Sequence, residues 1–203
     1  MTIERGADWG TVGGLPPDGI VVHSDAEANE VITEARRSRN PIPVLGLAGG
    51  DLCRTLGGTG DLDRLHSTDA RTLPIDLGVA LLDGRLRFFC SHLVVRGRWW
   101  SGRCVVAMNA QFLGPYDLAP RGHPNDGYLD ITEGALPLGE RLRARARART
   151  GSHLPHPALH TSRVTAMQFE LPRPTPIWLD SIRTEPARTI SMRVEPDAVV
   201  VVV

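Results

Sequence analysis

Residues 19–47 contain a strand, a helix and a second strand, an order that calls for parallel pairing. Gly19-Ile20-Val21-Val22 is an apolar run the length of a buried strand. Ser24 with Glu27 three residues on has the spacing of a capping box, in which each side chain takes a backbone N–H of the other's segment. Ala28, Val31, Ile32 and Ala35 then fall at helical spacing over residues 26–37, and Asn40-Pro41 stops the helix. Pro43 to Leu47 reads as the second strand. A crossover helix between two strands is the unit of an α/β layer.

The remainder of the chain is mostly strand. The polar, turn-rich residues 58–72 read as a linker. Val79–Leu82 and Leu86–Cys90 flank Asp83-Gly84, a hairpin signal. Leu93–Val95, Arg98–Trp100 and Cys104–Ala110 continue a meander with turns at Arg96-Gly97 and Ser101-Gly102. Val164–Leu171 alternates, and Thr189–Val194 and Ala198–Val203 close the chain. The terminal valines need pairing or burial, because an exposed valine strand aggregates. Residues 138–150, LGERLRARARART, read as a helix from their Ala, Leu and Arg content. A solvated helix is the plain reading of its arginines; anionic headgroups or nucleic acid is the sharper one.

Composition bounds function. With 23 basic and 23 acidic residues the net charge is zero, so no global field draws the chain to nucleic acid or an anionic membrane. Three cysteines without Cys-x-x-Cys spacing read as idle thiols in a reducing compartment. The start of the chain carries no apolar leader signal, and no apolar run reaches membrane-spanning length, so a cytoplasmic location is expected.

Gln111 to Asp130, QFLGPYDLAPRGHPNDGYLD, ends in Asn125-Asp126-Gly127, a tight turn in which Gly supplies positive φ. Asp126 there is either part of a plain surface turn or the seat of a hard cation. Leu118-Ala119-Pro120 with Asn125 to Asp130 resembles the segment that enters the β-rich domain of the diacylglycerol kinase and bacterial lipid kinase family. Ala28-Asn29-Glu30-Val31, Asp76-Leu77-Gly78 and the loop Gly151-Ser152-His153-Leu154-Pro155-His156-Pro157 resemble further motifs of that family. The resemblance implies a cut-down α/β nucleotide-type layer (19–60) joined to a larger antiparallel β-sandwich domain (73–203), after a flexible lead-in (1–18).

The resemblance also implies a chemistry, transfer of the ATP γ-phosphate to a lipid hydroxyl with Mg²⁺ between the phosphates. It puts Asp25, Asn29, Gly49, Gly50, Asp51 and Arg54 at the nucleotide, Asp25 and Asp180 in catalysis, and Asp126 at a structural Mg²⁺. The chain departs from the pattern where that chemistry is most demanding. Residues 23–27 read His-Ser-Asp-Ala-Glu where the family has a glycine-rich phosphate loop. Backbone N–H groups cradle phosphate only where no Cβ blocks the approach. Glu27 adds a negative charge beside the would-be triphosphate. After Asp180, Ser181 and Ile182 stand where the family has Gly and Glu, and isoleucine cannot take a proton. Asp180-Ser181 is equally readable as a hairpin turn.

Fewer βα units precede the first strand than in the family, so a homo-oligomer or partner chain is expected over the sheet edge. Two functions are compatible with these residues. One is a degenerate relative, without ordinary lipid phosphorylation, that binds a lipid or small hydroxylated ligand. The other is an active kinase whose site a partner chain completes.

Overall fold

The computed structural model describes residues 9–203; the first eight residues of the lead-in expected over 1–18 lie outside the described residues. In chain order the elements are β1 (Thr11–Val12), β2 (Ile20–Val22), α1 (Asp25–Arg37), β3 (Leu45–Leu47), α2 (Gly50–Thr55), α3 (Leu62–Leu65), β4 (Arg71–Leu82), β5 (Arg85–Phe89) and β6 (His92–Val95). A 3₁₀ turn (Arg98–Trp100) precedes β7 (Cys104–Met108), β8 (Phe112–Leu113), β9 (Tyr116–Asp117), β10 (Leu129–Gly134) and α4 (Leu138–Ala148). β11 (Leu159–Val164), β12 (Ala166–Thr175), β13 (Ile177–Leu179), β14 (Ile182–Arg183) and β15 (Ala187–Val202) complete the chain.

The strand–helix–strand unit forms as its periodicity requires: β2 and β3 pair in parallel through α1. Ser24 Oγ accepts the Glu27 N–H at 3.2 Å, and the Glu27 carboxylate accepts the His23 N–H at 2.8 Å, so the capping box is built. Ala28 and Ile32 of α1 pack with Leu45, Leu47, Ile75 and Val201 in one core.

Mixed and antiparallel sheets carry the rest. The first has the order β1-β4-β15-β3-β2, with β5 on β4 and β12 on β15; the second has the order β11-β10-β7-β6-β13-β14; β8 and β9 form a small ribbon. Leu82, Phe89, Ile190 and Met192 of the first sheet share a core with Leu93, Val105, Ile131 and Leu179 of the second.

β15 explains the valine tail. Ile190 to Glu195 pair antiparallel with Leu82 to Leu77 of β4, and after a bulge Val199 to Val202 pair with Ile75 to Thr72. Val201 and Val202 also pair in parallel with Leu45 and Gly46. β4 and β15 therefore run unbroken from the helix-covered end of the first sheet into the region shared with the second.

Three local readings are corrected. Arg98–Trp100 is a 3₁₀ turn, not a strand, because β6 pairs directly with β7 up to Val95↔Val105 and leaves residues 96–103 as the connecting loop. The segment read as a linker contains α3, capped by Asp61, whose Leu65 is buried with Leu15 and Val202. From Thr11 the lead-in is anchored, since β1 pairs with β4 and the Leu15 N–H donates to Leu65 O.

Candidate functional site

Asp180 and Ser181 form the tight β13–β14 turn, both with positive φ (48° and 69°). The Asp180 side chain points inward and has no exposed surface. Its Oδ1 accepts the Ser91 N–H at 2.8 Å and the His92 N–H at 3.0 Å. Its Oδ2 accepts the Cys90 N–H and the Asn29 side-chain amide, each at 2.8 Å. The Asn29 amide also donates to Phe88 O at 2.7 Å. One carboxylate thus joins α1, the β5–β6 bend and the β13–β14 turn, and four donors satisfy its oxygens in place of water.

Asp25 makes a second junction. The six-residue α2 has Gly49 at its N-cap and no side-chain cap of its own. Asp25, the first residue of α1, supplies one from 26 residues upstream: Oδ2 accepts the Asp51 N–H at 2.9 Å and Oδ1 the Leu52 N–H at 3.2 Å. The two glycines make this possible. A Cβ on Gly50 (φ +95°) would stand 2.3 Å from Asp25 Oδ1, and one on Gly49 2.4 Å from His23 O. The Asp51 side chain accepts the Gly114 N–H at 2.8 Å, and Arg54 stacks on the Phe112 ring at 3.7 Å. The loop carrying β8 is therefore held onto α2.

Burial pushes the Asp25 carboxyl up to about 7, with Asp180 and then Asp51 adding repulsion that the Leu52 and Asp51 N–H groups only partly offset. Burial also lowers the pKa of His92. The ring fits the neutral form: Nε2 accepts the Ser181 N–H at 3.1 Å, so Nδ1 carries the proton and donates to Ser91 Oγ at 3.1 Å.

One atom each from Asp25, Asp51 and His92 lies within 4.8 Å of the others. Against Mg²⁺, which takes oxygen ligands in octahedral array, the fit is incomplete. His92 offers no lone pair, and both Asp25 oxygens already hold N–H groups. Asp51 has one uncommitted oxygen.

The fold thus gathers Asp25, Asn29, Asp51 and Asp180, with Gly49, Gly50 and Arg54 beside them. Asp126 lies in a different constellation. It pairs with Arg163 and accepts the Tyr128 N–H at 3.0 Å, and among the described residues no group of three metal-ligating side chains includes it. The buried anchor of its turn is Asp76, whose two oxygens accept the Gly127 N–H at 2.7 Å and the Asp197 N–H at 3.0 Å. Burial raises Asp76 to about 6.

Sequence reasoning missed His92 and the structural part of Asp76. Both carried a signal: each is a polar residue inside an apolar strand run, Phe-Phe-Cys-Ser-His-Leu-Val-Val and Leu-Pro-Ile-Asp-Leu-Gly-Val.

No protein-family model and no curated protein sequence matches the chain. Solved structures do. Two from Bacillus anthracis strain Sterne, provisionally described as diacylglycerol kinases, superpose with TM-scores of 0.67 and 0.68 at 14% and 13% identity, covering 91% of this chain and 77% of theirs. A third from the same strain, described as a diacylglycerol kinase, gives a TM-score of 0.59 at 15% identity, covering 91% and 75%. The chain has the diacylglycerol kinase-like fold, at a sequence distance where fold alone is shared.

Proposed function

We propose that this chain is a lipid kinase-like protein that has given up ordinary ATP-dependent lipid phosphorylation and acts as a binding or repurposed relative. In this reading a cut-down α/β layer (19–60) carries a larger antiparallel β-sandwich (73–203), and the ligand is a lipid or a small hydroxylated molecule. The observation that carries it is the state of Asp180. A general base must reach the proton it removes, and this carboxylate is sealed from solvent with four donors on it. The α2 N–H groups that could meet a phosphate are capped by Asp25, and Gly49 and Gly50 serve that contact. Glu27 is drawn into the α1 cap. No helix among the described residues is long and apolar enough to cross a membrane, and we place the protein in the cytoplasm.

A second reading is favoured by one observation. Among the described residues, Asp25, Asp51 and Asp180 converge without a basic side chain bonded to any of them, and burial, with repulsion from Asp180 and Asp51, raises the Asp25 pKa to about 7. Mg²⁺ arriving with ATP would supply positive charge at Asp25 and Asp51, with Asn29 and Arg54 beside it and a partner chain over the open β2 edge completing an active kinase.

Calorimetry of the purified chain with MgATP separates the two. The expected result is no binding heat up to millimolar ATP. Micromolar binding that Asp25→Ala abolishes would mean that the site still holds nucleotide; it would count against the first reading and justify a search for the acceptor substrate of the second.

A further inference from the structure

The arginines are not spread evenly. α4 carries Arg141, Arg143, Arg145 and Arg147, with Arg149 at its C-cap, against a single acid, Glu140, which is engaged by Arg143 and His156. The neighbouring 3₁₀ turn brings Arg98 and Trp99, and Arg141 holds that turn to the helix by donating to Trp99 O. A net charge of zero over the chain therefore conceals a locally basic element, in which helical spacing puts Arg141, Arg145 and Arg149 on one side of α4 with Leu138 and Leu142, and Arg143 and Arg147 on the other.

The same face is apolar at its tips. Trp99 is 73% exposed, and Leu138 and Leu142, one turn apart on α4, are each 62% exposed. Trp99 and Trp100 both have left-handed backbone (φ 56° and 58°), a conformation in which bulky residues are outliers. Arg96 stacks on Trp178 at 3.9 Å and stands 5.2 Å from the Trp100 ring. The turn is thus fixed from below while Trp99 projects. An interfacial membrane site combines these parts: arginines for anionic headgroups, an indole for the headgroup layer, and leucines for the acyl boundary. A nucleic-acid surface would use the arginines and the indole but leave Leu138 and Leu142 without a role.

We propose that the face formed by Trp99, Leu138, Leu142, Arg141 and Arg145 docks the protein on an anionic phospholipid surface. The proposal is independent of whether the Asp25–Asp180 centre binds nucleotide.

The test is co-sedimentation of the full chain with two sets of vesicles, phosphatidylcholine alone and phosphatidylcholine with about 30% phosphatidylglycerol, the anionic set repeated at raised salt. Binding is expected only to the anionic vesicles, to weaken with salt as the Debye length shortens, and to shift tryptophan emission to the blue. Arg145→Ala is expected to lower the partition coefficient about fivefold, and Trp99→Ala and Leu142→Gln about tenfold or more. All three residues are exposed, and an unchanged near-ultraviolet dichroism spectrum shows that each variant folds. Equal binding to both vesicle types, no binding to either, or binding that these variants leave unchanged overturns the proposal. So does tight binding of single-stranded RNA that Trp99→Ala weakens while vesicles stay unbound.

Discussion

Asp180 and Asp25 lie in one buried centre, yet they are provided for differently. Asp180 has four donors, three from consecutive backbone N–H groups and one from Asn29. Asp25 has two, both from the start of a short helix, and its carboxyl is pushed up to about 7. Asp76 repeats the second pattern elsewhere, with two backbone donors and a carboxyl raised to about 6. Burial of a carboxylate is opposed by desolvation, and the number of donors aimed at it decides how much of that opposition remains. A fully provided carboxylate is a structural tie. An under-provided one is left to take up a proton or a cation near neutral pH.

The sharpest way to break the comparison is Asp180→Ala. It leaves three buried backbone N–H groups and one of the two Asn29 amide N–H groups without an acceptor. At about 1–3 kcal/mol per orphaned group, the loss should exceed about 4 kcal/mol, a large part of the stability of a domain. Urea unfolding measures it, and a loss below about 1 kcal/mol would mean that the carboxylate is not a structural tie.

Asp25→Asn probes the other side through pH. The folded-state pKa of Asp25 lies above the ordinary 3.8, so its contribution is fully present below that value and is lost as pH rises through about 7. His92, with a lowered pKa, acts in the opposite sense: its contribution is present above its ordinary 6.5 and lost as pH falls. Subtracting the variant from the wild type removes His92 and Asp76 from the comparison. Relative to wild type, Asp25→Asn should gain about 1.4 kcal/mol per pH unit between pH 5 and 7 and level off above. A difference flat across that range would contradict the raised pKa. If millimolar Mg²⁺ steadies the wild type at pH 8 and leaves the variant unmoved, the cation reading gains.

The same contrast explains what was legible in the chain. Periodicity, caps and composition locate α1, the Asp83-Gly84 hairpin and α4, because each is fixed by neighbours within a dozen residues, and the crossover helix then implies the parallel β2–β3 pair. The family resemblance singles out Asp25, Asn29 and Asp51, and the fold brings them together. What the sequence could not show is what each carboxylate bonds to. The partners of Asp180 are 88–90 residues away at Cys90–His92 and 151 away at Asn29. The cap of α2 comes from α1, 26 residues upstream, and not from a neighbour of its own first turn. The Trp99 turn reads as strand because aromatic residues favour strands, while the β6–β7 register that excludes it is a non-local property.

Asp126 provides the smallest expected effect and the cleanest control. It stands beside the Asp76 anchor with its own side chain 20% exposed, paired with Arg163, whose side chain is about half exposed (47%). Exposed pairs are worth about 0–1 kcal/mol because water and salt screen them, so Asp126→Ala should lower stability by about 1 kcal/mol or less. Any cation seated there would have to displace the Arg163 guanidinium. Thermal melting with and without Mg²⁺ separates the two states of the turn: the arginine pairing predicts the same melting temperature under both conditions, in wild type and variant alike. A Mg²⁺-dependent rise in the wild type that Asp126→Ala removes would instead seat a structural cation at this turn. Asp126 would then join Asp25 as a carboxylate that takes up external charge, and Asp180 alone would remain the tie satisfied wholly from within.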